Sequence, residues 1–131
     1  MVAIGVVRWF DDPRPELSSD MVAGVWQGAD RAELSFDGDG LFRASRIPVS
    51  LLGSASSGPT TRSGTGKWSI RAAVNDPSEK KTQVALVFEA LDGFPVPYSV
   101  NLRAESVDGK VVLFWFVGDP DLNRRFILER N

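Results

Sequence analysis

From residue 24 onward the chain runs in short stretches that alternate apolar and polar side chains, with no helical period among them. Such a stretch has one face for a core and one for water, and a series of them joined by tight turns demands a sheet. The clearest is 96–105, where Val96, Tyr98, Val100 and Leu102 share one face and Ser99, Asn101, Arg103 and Glu105 the other. The same reading gives strands at 24–28, 32–36, 41–47, 66–72, 82–89, 110–117 and 124–130. Asp37-Gly38-Asp39-Gly40 and Asp108-Gly109 supply hairpin turns of the Asp-Gly type. Eight strands in consecutive antiparallel order close into a barrel, which removes both exposed edges. The expected fold class is all-β, an eight-stranded antiparallel up-and-down meander barrel.

Three stretches depart from that pattern. Residues 11–15 are a Pro-rich break, after which Ser18 or Ser19 is placed to cap a single helical turn over 21–23. Residues 48–65 form a long Ser/Gly/Thr-rich connection whose leading half carries Val49, Leu51 and Leu52, too apolar for a plain linker. It is expected to be a flap over one barrel mouth with its tip near 54–65; a disordered insertion is the competing reading. Finally, 111–116 reads Val-Val-Leu-Phe-Trp-Phe, apolar on both faces. Leu113 and Trp115 serve the interior, so outward Val112, Phe114 and Phe116 need a cover. The N-terminal arm, with Val6, Val7, Trp9 and Phe10, is the favoured cover, and a homodimer through 111–116 the alternative.

Composition narrows the chemistry. Cys and His are both 0, which removes thiolate and imidazole metal sites and every triad that runs through an imidazole. No metal and no cofactor is expected. Lys and Arg total 15 against 17 acidic residues, for a net charge of −2, and neither half concentrates one sign. Nucleic acid is therefore not an expected partner. Residues 1–10 are mostly apolar but far short of the roughly 20 needed to cross a bilayer. They read as a packed arm or as the stub of a longer membrane anchor, which leaves a cytoplasmic and a membrane-anchored extracytoplasmic location both open.

Motifs that suggest ligands fail on spacing. Asp37-Gly38-Asp39-Gly40 opens like a calcium loop, but the later ligand positions fall on Leu41 and Pro48. Gly64-Thr65-Gly66-Lys67 lacks the first Gly and the closing Ser or Thr of a phosphate-binding loop, those positions being Thr61 and Trp68. Asp119 and Asp121 are close enough to form an acid–base pair, yet Asp-Pro-Asp between two strands is more simply a turn.

At Gly24-Val25-Trp26, with a helical turn before it and the meander after it, the chain resembles the calycins, the superfamily of lipocalins and fatty-acid-binding proteins. It is also similar to small bacterial proteins with the pieces found here at 24–26, 36–45, 66–68 and 118–121. The lipocalin resemblance implies that Trp26 closes the narrow end of the barrel and that an Arg of the last strand lies against its ring. Arg130, which shares parity with Phe126 and Leu128, is that candidate, with Gly24 the third closure residue. Residues 17–131 would be the lipocalin-like barrel domain and 1–16 the arm or anchor stub. The chain is shorter than a usual lipocalin, and it has neither the paired cysteines nor a C-terminal helix.

Calycin barrels usually hold small apolar molecules, so the leading expectation is a non-enzymatic binding module for a small apolar or amphipathic ligand. Its interior and mouth would be lined by Phe42, Leu51, Leu52, Trp68, Phe88, Tyr98 and Trp115. The inward polar candidates are Tyr98, Gln83 and Arg46. The alternative is a filled barrel serving as a structural or protein-interaction domain, because the 4 Trp, 8 Phe and 1 Tyr crowd an eight-stranded interior. A small barrel isomerase or cyclase stands third.

Overall fold

The alternating stretches pair in chain order, and the last closes on the first as a barrel, β1-β2-β3-β4-β5-β6-β7-β8. The computed structural model describes residues 14–52, 58–75, 77–116 and 124–131. A helical turn α1 (Ser19–Val22) precedes β1 (Gly24–Gln27), β2 (Glu33–Phe36), β3 (Leu41–Pro48), β4 (Thr61–Ala72), β5 (Lys81–Leu91), β6 (Tyr98–Val107), β7 (Lys110–Phe116) and β8 (Arg125–Arg130). All pairings are antiparallel. The fold class is thus the one expected, and it is compatible with a lipocalin-like barrel.

The turns form as their residues dictate. The Asp37 carboxylate accepts from the backbone N–H of Asp39 and of Leu41, both at 2.9 Å, which shapes the β2–β3 turn. Asp108 and Gly109 both take positive φ, as a two-residue hairpin between paired Val107 and Lys110 requires. Ser18 precedes α1 without a side-chain cap bond.

Two strand boundaries correct the sequence reading. β4 begins at Thr61 rather than 66, because this polar stretch pairs on both sides: Arg62 opposite Ile47, and Gly64 opposite Ala44 and Leu91. Two neighbouring ladders satisfy the backbone where side-chain propensity is weak. The flap is thereby reduced to 49–60, of which 53–57 lie outside the described residues. β6 begins at Tyr98, not 96; Pro97 has no N–H to give a ladder, and Val96 is exposed instead of inward.

The core is organised in rows across the strands. One row runs Phe36, Phe42, Gly66, Phe88, Tyr98 through successive register pairs. Others run Trp68, Leu86, Val100 and Ile70, Val84, Leu102, and Ala104, Leu113, Leu128. Trp26, Leu34, Phe88, Leu86, Leu102, Leu113 and Leu128 are all buried. At about 2 kcal/mol for each large apolar side chain, such burial is the main force holding the barrel. Closure is thinnest at the β1–β8 seam, where Trp26 faces Arg130 and Gln27 faces Glu129. The Asn131 N–H extends it to the Val25 carbonyl at 2.8 Å. Farther along, Gly28 lies so near the Phe126 ring that an added Cβ would come within 2.6 Å of it.

On the outside of β7, Val112 and Phe114 are buried and Phe116 is half-buried. Two guanidinium groups contribute to that cover: Arg125 lies 4.4 Å from the Phe114 ring centre and Arg103 4.9 Å from that of Phe116. Val6, Val7, Trp9 and Phe10, the residues of the 1–16 arm expected to cover this face, lie outside the described residues, as does the 118–121 segment with Asp119 and Asp121. Among the described residues no helix is long and apolar enough to cross a membrane.

Candidate functional site: the plugged barrel mouth

The meander puts α1 and the β2–β3 and β6–β7 turns at one end of the barrel, and the 49–60 and 92–97 connections at the other. The α1 end is shut from the chain's own residues. The Trp26 indole N–H donates to the Val22 carbonyl at 2.8 Å. The Arg130 guanidinium donates to the carbonyls of Asp20 and Met21 at 3.3 and 3.2 Å. Here the structure departs from what the lipocalin resemblance implies. Arg130 stands opposite Trp26 in the ladder but is exposed, and its side chain crosses Gly24, not the indole face. Gly24, at φ +130, leaves room for it: an added Cβ would sit 3.1 Å from Arg130 Nε. The last carbonyls of a helical turn have no partner of their own, and a cationic donor meets that need better than a ring does.

The opposite mouth is closed by a plug. After Pro48 the chain makes a 3-10 turn, Val49–Leu51, fixed at its base by the Val49 N–H donating to the Thr60 carbonyl at 2.8 Å. That turn drives Leu51 and Leu52 into the barrel, where both are buried. The Tyr98 hydroxyl donates to the Leu52 carbonyl at 2.7 Å and locks the plug to the start of β6. Burial holds the Tyr98 phenol above its ordinary value, since it disfavours the phenolate.

Beneath the plug lies a chain of rings in tilted or edge-on contact. Phe94 meets Tyr98 at 6.0 Å, Tyr98 meets Phe88 at 6.2 Å, and Phe88 meets Phe42 at 4.9 Å. It continues through Phe36 at 6.4 Å to Trp68 at 5.5 Å. Of the residues expected to line a ligand site, Leu51, Leu52, Tyr98, Phe88 and Phe42 are therefore brought together. Trp68 is not: its ring reaches toward the α1 end, where its indole N–H donates to the Asp37 carbonyl at 3.0 Å. Trp115, opposite Phe126, is buried in the core on the β7–β8 side.

The inward polar groups also differ from expectation. Gln83 pairs with outward Arg71 and Arg103 and so faces outward, and Arg46 is exposed at the bulge of β3. The buried polar side chains among the described residues are instead Arg62 and Thr82. Arg62 donates to the Pro59 carbonyl and to the Asp92 carbonyl, both at 3.2 Å, and lies 5.6 Å from the Phe94 ring centre. It thus ties the 58–60 and 92–94 connections to one another beside the plug. Its even parity with Gly64, Gly66 and Trp68 is the signal in the sequence for its inward face, and it shows only once β4 is extended back to Thr61.

Among the described residues, recesses of about 280 to 530 Å³ open as grooves on the faces, rims and strand gaps of the barrel. Among the described residues no group of three or more Asp and Glu is gathered to hold a metal ion. Compared with known proteins, the chain matches no family model, no curated protein and no solved structure.

Proposed function

We propose that this barrel is a non-enzymatic binding module for a small apolar or amphipathic molecule, entered at the mouth that Leu51 and Leu52 plug. The observation that carries this reading is the Tyr98–Leu52 hydrogen bond at the head of the ring column. A two-leucine plug held by one side-chain bond has the chemical character of the ligand it would give way to. An entering aliphatic or aromatic body would replace the two leucine side chains in the core at the head of the ring column with contacts of its own. The phenol, released from Leu52, would then donate to the polar end of that ligand. Among the described residues the buried polar side chains, Arg62 and Thr82, supply no carboxylate for acid–base chemistry, which favours binding over catalysis.

The test is fluorescence titration with a long-chain fatty acid carrying an environment-sensitive dye, on the wild type and on Leu52→Ala. The expected result is saturable one-to-one binding, tighter in Leu52→Ala because the plug is smaller. Absence of saturable binding in both proteins, with the fold intact by circular dichroism, overturns the reading. A specific observation supports a second one: the interior rows are filled with side chains, as in a domain that presents only its surface. A negative titration would select it, with the outer face of β7 as the interaction surface to examine.

A further inference from the structure

β5 and β6 part company before the barrel ends. Their register stops at Gln83 opposite Arg103, whereas β6 continues against β7 as far as Val107 and Lys110. The start of β5 turns the other way: Lys81 pairs with Ala72, and its carbonyl accepts from the Leu17 N–H at 2.8 Å. A groove of about 280 Å³ runs at this fork, walled by Thr82 and Gln83 of β5, Arg103 and Ala104 of β6, and by Arg14 and Arg125.

The groove gathers arginines from three separate parts of the chain, Arg14 before α1, Arg103 on β6 and Arg125 on β8. Against them stands one carboxylate, Glu105, paired with Arg125 at 2.6 Å. The local balance is positive in a protein whose net charge is −2. Arg103 has no hydrogen-bond or ion-pair partner among the described residues; its guanidinium lies over the Phe116 ring, 4.9 Å from the ring centre. A guanidinium held against a ring keeps its in-plane N–H groups for an oxyanion, whose geometry they match two at a time. A second observation is independent of charge. The Thr82 hydroxyl, on a residue 2% exposed at the wall of the same groove, is buried and has no partner. Buried hydroxyls are almost always satisfied, and one left over at a groove invites a ligand or water oxygen.

We infer that the β5–β6 fork is a binding site for a small organic oxyanion, a carboxylate or phosphate monoester with a short apolar body. The acid group takes the Arg103 fork within the field of Arg14 and Arg125. The apolar body lies along Ala73 and Ala104, and one ligand oxygen accepts from Thr82. This site lies at the gap where β5 and β6 separate and stands whether or not the ring column beneath the plug admits a ligand.

The test is NMR titration of the wild type at low ionic strength with benzoate, phenyl phosphate and neutral benzamide. The expected result is saturable shifts confined to residues about the fork for one or both anions and none for benzamide. The stronger anion decides between carboxylate and phosphate. Arg103→Gln weakens that binding about tenfold, the loss of one charged fork. Lys67→Gln, on the outer face of β4 and paired with Glu89, leaves it unchanged. Thr82→Val, close in shape, weakens it several-fold with the fold retained. The inference is overturned by an absence of saturable shifts with both anions, by equal binding of benzamide, or by Arg103→Gln binding as the wild type does.

Discussion

Phe42 and Phe88 meet edge-on at 4.9 Å across a residue with no side chain, for Gly66 stands between them in the ladder row. A Cβ on Gly66 would collide with the Val87 carbonyl and come within 2.9 Å of the Phe42 ring. The two rings and the missing side chain are one packing unit, and it belongs to the ring column that runs down from Tyr98 at the plugged mouth.

Gly66→Ala is accordingly expected to cost about 3 kcal/mol or more, since neither a ladder carbonyl nor a ring packed on both sides can give way. Gly38→Ala, where an added Cβ meets nothing within 4 Å, is expected to stay within about 0.5 kcal/mol of wild type. Urea unfolding of the pair measures both; equal stabilities would show that the row repacks freely.

Tyr98 is the single tyrosine, so absorbance at the tyrosinate band titrates it alone. Its phenol is raised by burial, so near and above pH 10 the folded state holds its proton more tightly than the unfolded chain does. The stability this contributes is complete below the unfolded value of about 10 and is lost as pH rises through the higher folded value. The absorbance midpoint is expected above 10, and Tyr98→Phe is expected to lose less stability than wild type over that alkaline range. A midpoint at or below 10 would refute the buried donor to Leu52.

Arg62 tests the joint between the two connections at the mouth. Arg62→Met removes donors to the Pro59 and Asp92 carbonyls and is expected to destabilise by about 2 kcal/mol. Arg62→Lys keeps the charge but not the spread of the fork, and it is expected to recover less than half of that loss. Full recovery by Lys would mean that charge, not geometry, holds the joint. Chemical denaturation of the three proteins decides.

The closing turn at the other end is tested by Trp26→Phe. It loses the indole bond to the Val22 carbonyl and leaves a gap at a fully buried position, for an expected cost of about 2 to 4 kcal/mol. Arg130→Met is expected to cost about 1 kcal/mol, because its bonds to Asp20 and Met21 are exposed to water. Thermal unfolding ranks the two, and the reverse order would place the weight of closure on the arginine.

Much of the barrel was legible in the chain because alternation is a local property. A residue at position i tells which face i+2 takes, and Asp-Gly tells where the chain reverses, so the strands and their order followed from neighbours alone. The ring column was legible in part for the same reason: Phe42, Phe88 and Tyr98 carry inward parity. Trp68 carries it too, yet parity says nothing of depth, and its ring belongs to the far end.

By itself, then, the sequence determined an all-β meander, its turns, the inward set of most strands, and the absence of imidazole and thiolate chemistry. The tertiary structure alone decided what lies between strands distant in the chain. Arg62 became buried only because β3 and β5 both pair with a polar stretch whose own propensity is weak. Arg130 left the indole for the carbonyls of α1 because those carbonyls lack partners, which no pattern in β8 records. The fork that gathers Arg14, Arg103 and Arg125 exists because β5 follows β4 and Leu17 while β6 follows β7. Strand divergence of that kind is settled by competition among whole ladders, a balance of long-range pairings that no local run of residues contains.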